Sequence, residues 1–363
     1  MELNKQNVLM FEKTMNLGGS SKVVLQLCKI LKPYVNKIIV CSTGGINTKT
    51  LDQMGIKHYY IGNISDFNPF NVMKILSQLL EVIRKEKITI VHTHHRMATL
   101  YMKILDGVCN VKVISTLHGV FDDKQTITRY AYKDIDIIAC GNIVKEKFVS
   151  NYGIDPSKIT VIHNAIEEYS TDIIPIDELS KYKDKTIVAY IGRLSPEKGI
   201  DVLIKAIADV ISKNSKVLFA FVGDGFDDYK RYIFKLISDL GVKENTLFLG
   251  YRNDVQNVIK QVDFIVLPSY TEGLPLTPIE AFSQGKTVVA TKAGGTVEIV
   301  SHGFNGLLSE VGDYQQLSNN ILTLCNNHQL SSNLARNALA TYKKYYSFDK
   351  FCKETINYYM RLN

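Results

Sequence analysis

The segment SYTEGLPLTPIEAFSQG, Ser269–Gly285, sets two carboxylates, Glu272 and Glu280, eight positions apart across a Gly-Leu-Pro turn and a Thr-Pro step. Glu280 has a purely local reading. Thr277 suits an N-cap and Pro278 a first helical position, where its missing N–H costs nothing. Glu280 then falls at the third helical position and completes a T-x-x-E capping box. Glu272 has no such duty. It follows the strand-like run DFIVLPS in a loop at that strand's carboxyl end, where open α/β sheets bind ligands.

Two further clusters could do chemistry. Arg193 and Lys198 stand in YIGRLSPEKGID, just past another strand-like run. Such cations suit a diphosphate, Arg as a planar fork and Lys as a point charge; the local alternative is a surface ion pair with Glu197. Gly18-Gly19-Ser20-Ser21 follows the first strand-like run and opens a helical pattern, where backbone amides can approach a negative ligand. The EGLPLT stretch offers amides around Gly273, Leu274, Leu276 and Thr277 at a helix start beside the two glutamates. Amides attract anions and carboxylates hold hydroxyls. A ligand carrying both is a sugar nucleotide.

Other motif matches fail on spacing. A phosphate loop ending at Gly285-Lys286-Thr287 needs glycine at 280, where Glu stands. The dinucleotide fingerprint begun by Gly223-Asp224-Gly225 needs glycine where Asp228 stands. The run His92-Thr93-His94-His95, with His118 beyond it, raises a metal site. Neighbouring strand residues point to opposite faces, which spoils simple chelation, so no metal ligand is assigned.

The elements that must position these groups alternate almost without a break. Strand-like runs NVLMF, KIIVCS, KHYYIG, ITIVHT, VKVISTL, DIIAC and KITVIH occupy the first half, interleaved with amphipathic stretches such as NVMKILSQLLEVIRKEK. TIVAYIG, KVLFAFVG, NTLFLG, DFIVLP, KTVVAT and NGLLS restart the pattern. Repeated βα units imply parallel sheets covered by helices on both faces. The polar stretch Ala165–Lys185 reads as a linker between two such domains, with a ligand in the cleft between them. The 363 residues are enough for two cores.

Composition narrows the partners. Residues 1–165 carry 21 Lys and Arg against 13 Asp and Glu; the remainder carries 22 against 23. A basic first half fits anionic lipid, nucleic acid or a phosphorylated substrate, or is simply a solvated lysine surface. The stretch MATLYMKIL could touch a membrane, but Met97, Leu100, Tyr101 and Ile104 read as a core-facing stripe. Six isolated cysteines without C-x-x-C spacing imply neither a disulfide frame nor a zinc site. With no signal-like start and no run of roughly 18 apolar residues, a cytoplasmic protein is expected, resting at most on the inner membrane face.

GGSSKVV, STLHG, VIHNAI, YIGRLSPEKGID, FVGDG, FLGYRNDV and DFIVLPSYTEGLPLTPIEAFSQGKTVVATKAGGTVEIV occur in the order found in retaining glycosyltransferase family 4, which this chain resembles over nearly its whole length. The resemblance implies the α/β GT-B fold, two doubly wound Rossmann-like domains facing each other across a cleft. Residues 1–165 would bind the acceptor, with a C-terminal helix at about 346–363 packing back on them, and residues 166–345 would bind the nucleotide sugar. In the E-x7-E motif, Glu280 would hold the ribose and Glu272 lie against the donor sugar. Arg193 and Lys198 would neutralise the diphosphate, Gly273, Leu274, Leu276 and Thr277 would line the sugar and phosphate pocket, His118 would contact the sugar, and Gly18 and Gly19 would approach the phosphates.

Two departures stand out: Ser21 replaces the acid of G-G-x-E, and Asn164-Ala165 replaces a frequent N-G. The implied reaction moves a sugar from a nucleoside diphosphate, expected to be UDP, to a hydroxyl of a glycan or lipid-linked acceptor, in bacterial capsule or other surface polysaccharide synthesis. It needs no cofactor, metal or nucleic acid; an anionic membrane surface is a candidate partner. The rival readings are a non-catalytic partner subunit and a same-fold sugar-nucleotide epimerase. The first would have lost the nucleotide groups, and the second would use other carboxylate and histidine patterns.

Overall fold

The computed structural model describes residues 2–16, 18–119, 123–168 and 172–362. The chain divides into two compact units, residues 1–164 with 349–363 and residues 165–348. Every apolar run named above forms a strand, and every pairing is parallel. The expected fold class, two parallel Rossmann-like sheets flanked by helices, holds.

In the first unit the strands are β1 (Asn7–Phe11), β2 (Lys37–Ser42), β3 (Lys57–Tyr60), β4 (Ile90–Thr93), β5 (Lys112–Leu117), β6 (Asp136–Ala139) and β7 (Ile159–Val161). They lie in the order β3-β2-β1-β4-β5-β6-β7. In the second unit β8 (Thr186–Ile191), β9 (Val217–Val222), β10 (Thr246–Gly250), β11 (Phe264–Leu267), β12 (Val288–Thr291) and β13 (Gly306–Ser309) lie in the order β10-β9-β8-β11-β12-β13. The central strands read as unbroken apolar runs because helices bury both faces of a parallel sheet. Every residue of β1, β9, β11 and β12 is buried.

Strand order reverses between β1 and β4 in one sheet and between β8 and β11 in the other. Loops leaving adjacent strands at such a point diverge to opposite faces, which opens a crevice at the carboxyl ends. These two switch points hold the residues singled out above.

The helix Phe348–Arg361 closes the first unit: Tyr359 is fully buried and its hydroxyl lies 2.7 Å from His92 Nδ1. In the helix Arg96–Ile104, Met97 and Tyr101 pack in the core with Leu9, Phe11 and Val91, while Ile104 is 44% exposed. Met97, Leu100 and Tyr101 of that stripe face the core, and Ile104 does not. The stretch read as a linker is part of the second unit. Ile174 and Ile176 donate their N–H groups to the side chains of Asn257 and Gln261, ahead of a short helix, Asp177–Ser180. Residues 169–171 of that stretch lie outside the described ones.

Candidate functional site

At the switch point of the second sheet, backbone contacts fix the loops before any side chain acts. Gly199 has φ +63°, and a Cβ there would lie 2.1 Å from the Pro268 carbonyl oxygen. Gly294 has φ +49°, and a Cβ there would lie 1.9 Å from the Glu272 carbonyl oxygen. Only glycine lets three loops close to this distance. The Glu272 loop is held between the loop after β8 and the loop after β12, and Thr291 Oγ1 secures it by donating to the Ser269 carbonyl at 2.5 Å.

The close approach brings Lys198 Nζ to 2.7 Å from Glu272 Oε1, and Ser269 Oγ donates to the same oxygen at 2.6 Å. The Glu272 side chain is 8% exposed and that of Lys198 26%. The alternative of a surface pair between Lys198 and Glu197 is thereby corrected. Glu197 instead accepts from Ser195 Oγ at 2.6 Å, because the turn Pro196–Lys198 directs the lysine toward β11. Arg193 lies exposed, and its guanidinium has no ion-pair partner among the described residues. Its carbonyl is pinned by the buried Tyr190 hydroxyl at 2.7 Å.

The capping box does not form. The helix runs Leu276–Ser283 after Pro275, so Thr277 is its second residue and Glu280 its fifth. The Thr277 hydroxyl is taken by the Ile191 carbonyl at the end of β8, 3.2 Å away, and cannot turn back to cap its own helix. Pro278 still lies within the first turn, where an N–H has no intrahelical acceptor. Glu280 is only 8% exposed, in the second turn of the helix. Leu274 is buried and anchors the turn, Gly273 presses its carbonyl against Gly295, and Leu276 begins the helix.

In the first unit, Gly18 precedes the helix Gly19–Leu31. Its φ of 168° is extended, and a Cβ there would meet no atom within 4 Å, so the fold itself does not demand glycine. Ser21 has a structural duty, its hydroxyl donating to the Thr14 carbonyl at 3.0 Å.

The histidine run divides by role. His92 is fully buried between the Tyr359 and Thr116 hydroxyls, 2.7 Å from each. His95 caps the helix Arg96–Ile104, its Nδ1 accepting the Met97 N–H at 3.1 Å. His94 faces His118, with Nδ1 and Nε2 3.1 Å apart, and Glu12 joins them from the end of β1. Of these histidines only His92 lies on β4; His94 follows the strand and His95 precedes the helix. The cluster arises because three different strand ends converge, which spacing along one strand does not reveal. Glu12 went unnoticed in the sequence; a lone acid directly after the apolar run Val8–Phe11 is the signal that marks it. Burial pushes the Glu12 carboxyl up to about 8 against the pull of the Lys13 and Thr14 backbone groups. Burial also lowers His118 to about 4, with His95 adding to it, and lowers His94 well below the usual imidazole range, with His92 and His118 adding to it.

Residues 175–341 match the family model described as glycosyl transferases group 1, and residues 17–168 match that described as glycosyltransferase family 4. The chain is a glycosyltransferase of the family 4 type. It is 29% identical over 339 residues to the Escherichia coli UDP-Gal:alpha-D-GlcNAc-diphosphoundecaprenol alpha-1,3-galactosyltransferase, covering 87% of each chain. It is 24% identical over 369 residues to the Bacillus anthracis N-acetyl-alpha-D-glucosaminyl L-malate synthase, covering 94% of each. A crystal structure of Anabaena HepE in complex with UDP is 23% identical, covers 98% of this chain and 100% of that one, and superposes with a TM-score of 0.85, which places the fold in the GT-B class. In this glycosyltransferase the group 1 match contains the β8/β11 switch point with Arg193, Lys198, Glu272 and Glu280, and the family 4 match, which begins after β1, contains β4 with Gly18, Gly19, His94 and His118.

Proposed function

We propose that this glycosyltransferase moves a sugar from UDP to a hydroxyl of a glycan or lipid-linked acceptor, with retention at the anomeric carbon, in the synthesis of a surface polysaccharide. The observation that carries the reading is the Lys198–Glu272 pair, held in a glycine-packed crevice at the switch point beside the exposed Arg193. The name of the Escherichia coli relative gives UDP-galactose as donor and a diphosphoundecaprenol-linked sugar as acceptor, and HepE was crystallised with UDP; both support the assignment.

The departing diphosphate gathers charge as the glycosidic bond breaks, so stabilising that charge is the main electrostatic task. Arg193 would take it with a planar fork, and Lys198 would swing from Glu272 toward it as a point charge. Glu272 is acceptor-only when ionised, so it holds the ammonium without a donor and would hold sugar hydroxyls with one. Amides at Gly273, Leu274, Leu276 and Thr277 complete the cradle, and Glu280 would grip the ribose. On the first unit, His118 would meet the sugar, and Gly18, where the fold does not require glycine, would with Gly19 let backbone approach phosphate. The acceptor would attack on the face that the diphosphate leaves, without a covalent carboxylate intermediate.

The test is a thermal-shift panel of nucleoside diphosphates and their sugars, followed by donor turnover with the binder. A cognate nucleotide stabilises by mass action, by about 2.7 kcal/mol at a hundredfold excess over Kd. UDP and one UDP-sugar should raise the melting temperature more than ADP or GDP. Stabilisation by another nucleotide alone would overturn the choice of UDP, and binding without turnover to any acceptor would favour a non-catalytic partner.

A further inference from the structure

We infer that the first unit carries a zinc site formed by Glu12, His94 and His118. One ligand atom from each lies within 4.8 Å of the other two. Two imidazoles and one carboxylate are a zinc donor set that leaves a fourth position open. The 3.1 Å between His94 Nδ1 and His118 Nε2 is a few tenths short of the roughly 3.4 Å spanned by two nitrogens at about 2.1 Å from one tetrahedral ion. Small ring rotations close that difference.

The cluster is also unsatisfied as it stands. Glu12 Oε2 is buried with no hydrogen-bond partner among the described residues; His94 Nε2 and His118 Nδ1 also lack one, but they are the ring nitrogens opposite the 3.1 Å contact and do not face an ion held there. Such atoms are rare in folded proteins and call for an explanation, a bound ion or water among them. Glu12 and His94 are 3% and 4% exposed, and His118 is half-buried. The set has too few oxygens for Mg²⁺ or Ca²⁺, which need six or more, while imidazole suits zinc. The six cysteines supply no competing thiolate cluster among the described residues.

The full-length protein is titrated with ZnCl₂ in buffer containing excess MgCl₂, with bound metal counted after dialysis and melting followed in parallel. One Zn²⁺ per chain should bind and raise the melting temperature. Glu12→Gln and His94→Ala should each weaken binding at least tenfold, while the exposed control His328→Ala should leave it unchanged. Co²⁺ in place of zinc should give visible bands without near-ultraviolet thiolate charge transfer. If His94→Ala fails to fold, the nearly isosteric Glu12→Gln decides. Absent stoichiometric zinc, or zinc retained by both variants, overturns the site. A second arm rests on the donor reading of His118: zinc should slow sugar transfer, and EDTA should restore it. Zinc bound without inhibition would leave the metal site standing and remove His118 from the donor's contacts, so the two failures are separable.

Discussion

The two sheets place their polar groups at equivalent switch points, yet the groups differ in electrical character. Between β8 and β11, Lys198 and Glu272 form an ion pair beside an exposed Arg193. Between β1 and β4, Glu12 is pushed up to about 8 by burial, and His94 and His118 are held in the neutral form. One crevice keeps its charges by pairing them and leaving cations near solvent. The other buries titratable groups until they give up charge. The first arrangement suits an anionic diphosphate, whose arrival frees a carboxylate for hydroxyls. The second suits a neutral polar ligand or a cation that displaces the carboxyl proton. One topology thus offers two sites, and the chemistry of each follows from the residues that end β1, β4 and β5 or that follow β8 and β11.

The largest effect that would sharpen this comparison is expected from Lys198→Ala. A hydrogen bond to a charged group is worth about 1.5–3 kcal/mol, and charge on the leaving group grows toward the transition state. Turnover should fall roughly a hundredfold or more. Affinity for UDP should fall roughly tenfold to a hundredfold, while uridine is spared. Steady-state kinetics and calorimetry with both ligands separate the terms. Equal losses for UDP and uridine would mean that the loop had lost its shape and that the charge contrast between the two crevices explains nothing.

A smaller effect is expected at Glu280. Because Thr277 bonds the Ile191 carbonyl and the helix begins at Leu276, Glu280 has no cap to complete. Glu280→Gln should therefore melt near wild type and bind UDP about tenfold less tightly, through the lost charge toward the ribose. Unchanged UDP affinity in a well-folded Gln variant would leave Glu280 a structural residue of the helix.

How far the sequence disclosed this picture depends on the range of the interaction. Strand identity was legible because a parallel strand buried on both faces leaves a continuous apolar run, as in VLFAFV of β9 and FIVL of β11. Arg193, Lys198 and Glu272 were legible as candidates because each follows a strand at its carboxyl end. The Lys198–Glu272 pair was not, since the two are 74 positions apart and meet only because Gly199 lets the β8 loop approach Pro268. The capping box was misread for a related reason: T-x-x-E is a local signal, and a tertiary acceptor, the Ile191 carbonyl, claims the threonine. Glu12 escaped notice because its partners come from β4 and β5, and nothing in the residues around it announces them.

The smallest expected effect is none at all, and it tests the comparison most directly. If the leaving diphosphate is stabilised by Arg193 and Lys198, chelating divalent metal should not change the rate of sugar transfer, and added Mg²⁺ should not raise it. The proposed zinc donor set lies in the other unit, so EDTA should at most relieve inhibition by zinc carried through purification. Transfer is measured in excess EDTA, then with Mg²⁺ or Zn²⁺ restored above the chelator. A rate unchanged by EDTA and by Mg²⁺, but lowered by Zn²⁺, is the outcome expected of a cationic crevice in one unit and a neutral cluster in the other. Activity abolished by EDTA and recovered with Mg²⁺ would transfer the leaving-group role from the two cations to a metal held with the diphosphate. Lys198 would then be left chiefly as the partner that holds the Glu272 carboxylate in place, and the electrical contrast between the two crevices would lose its functional meaning.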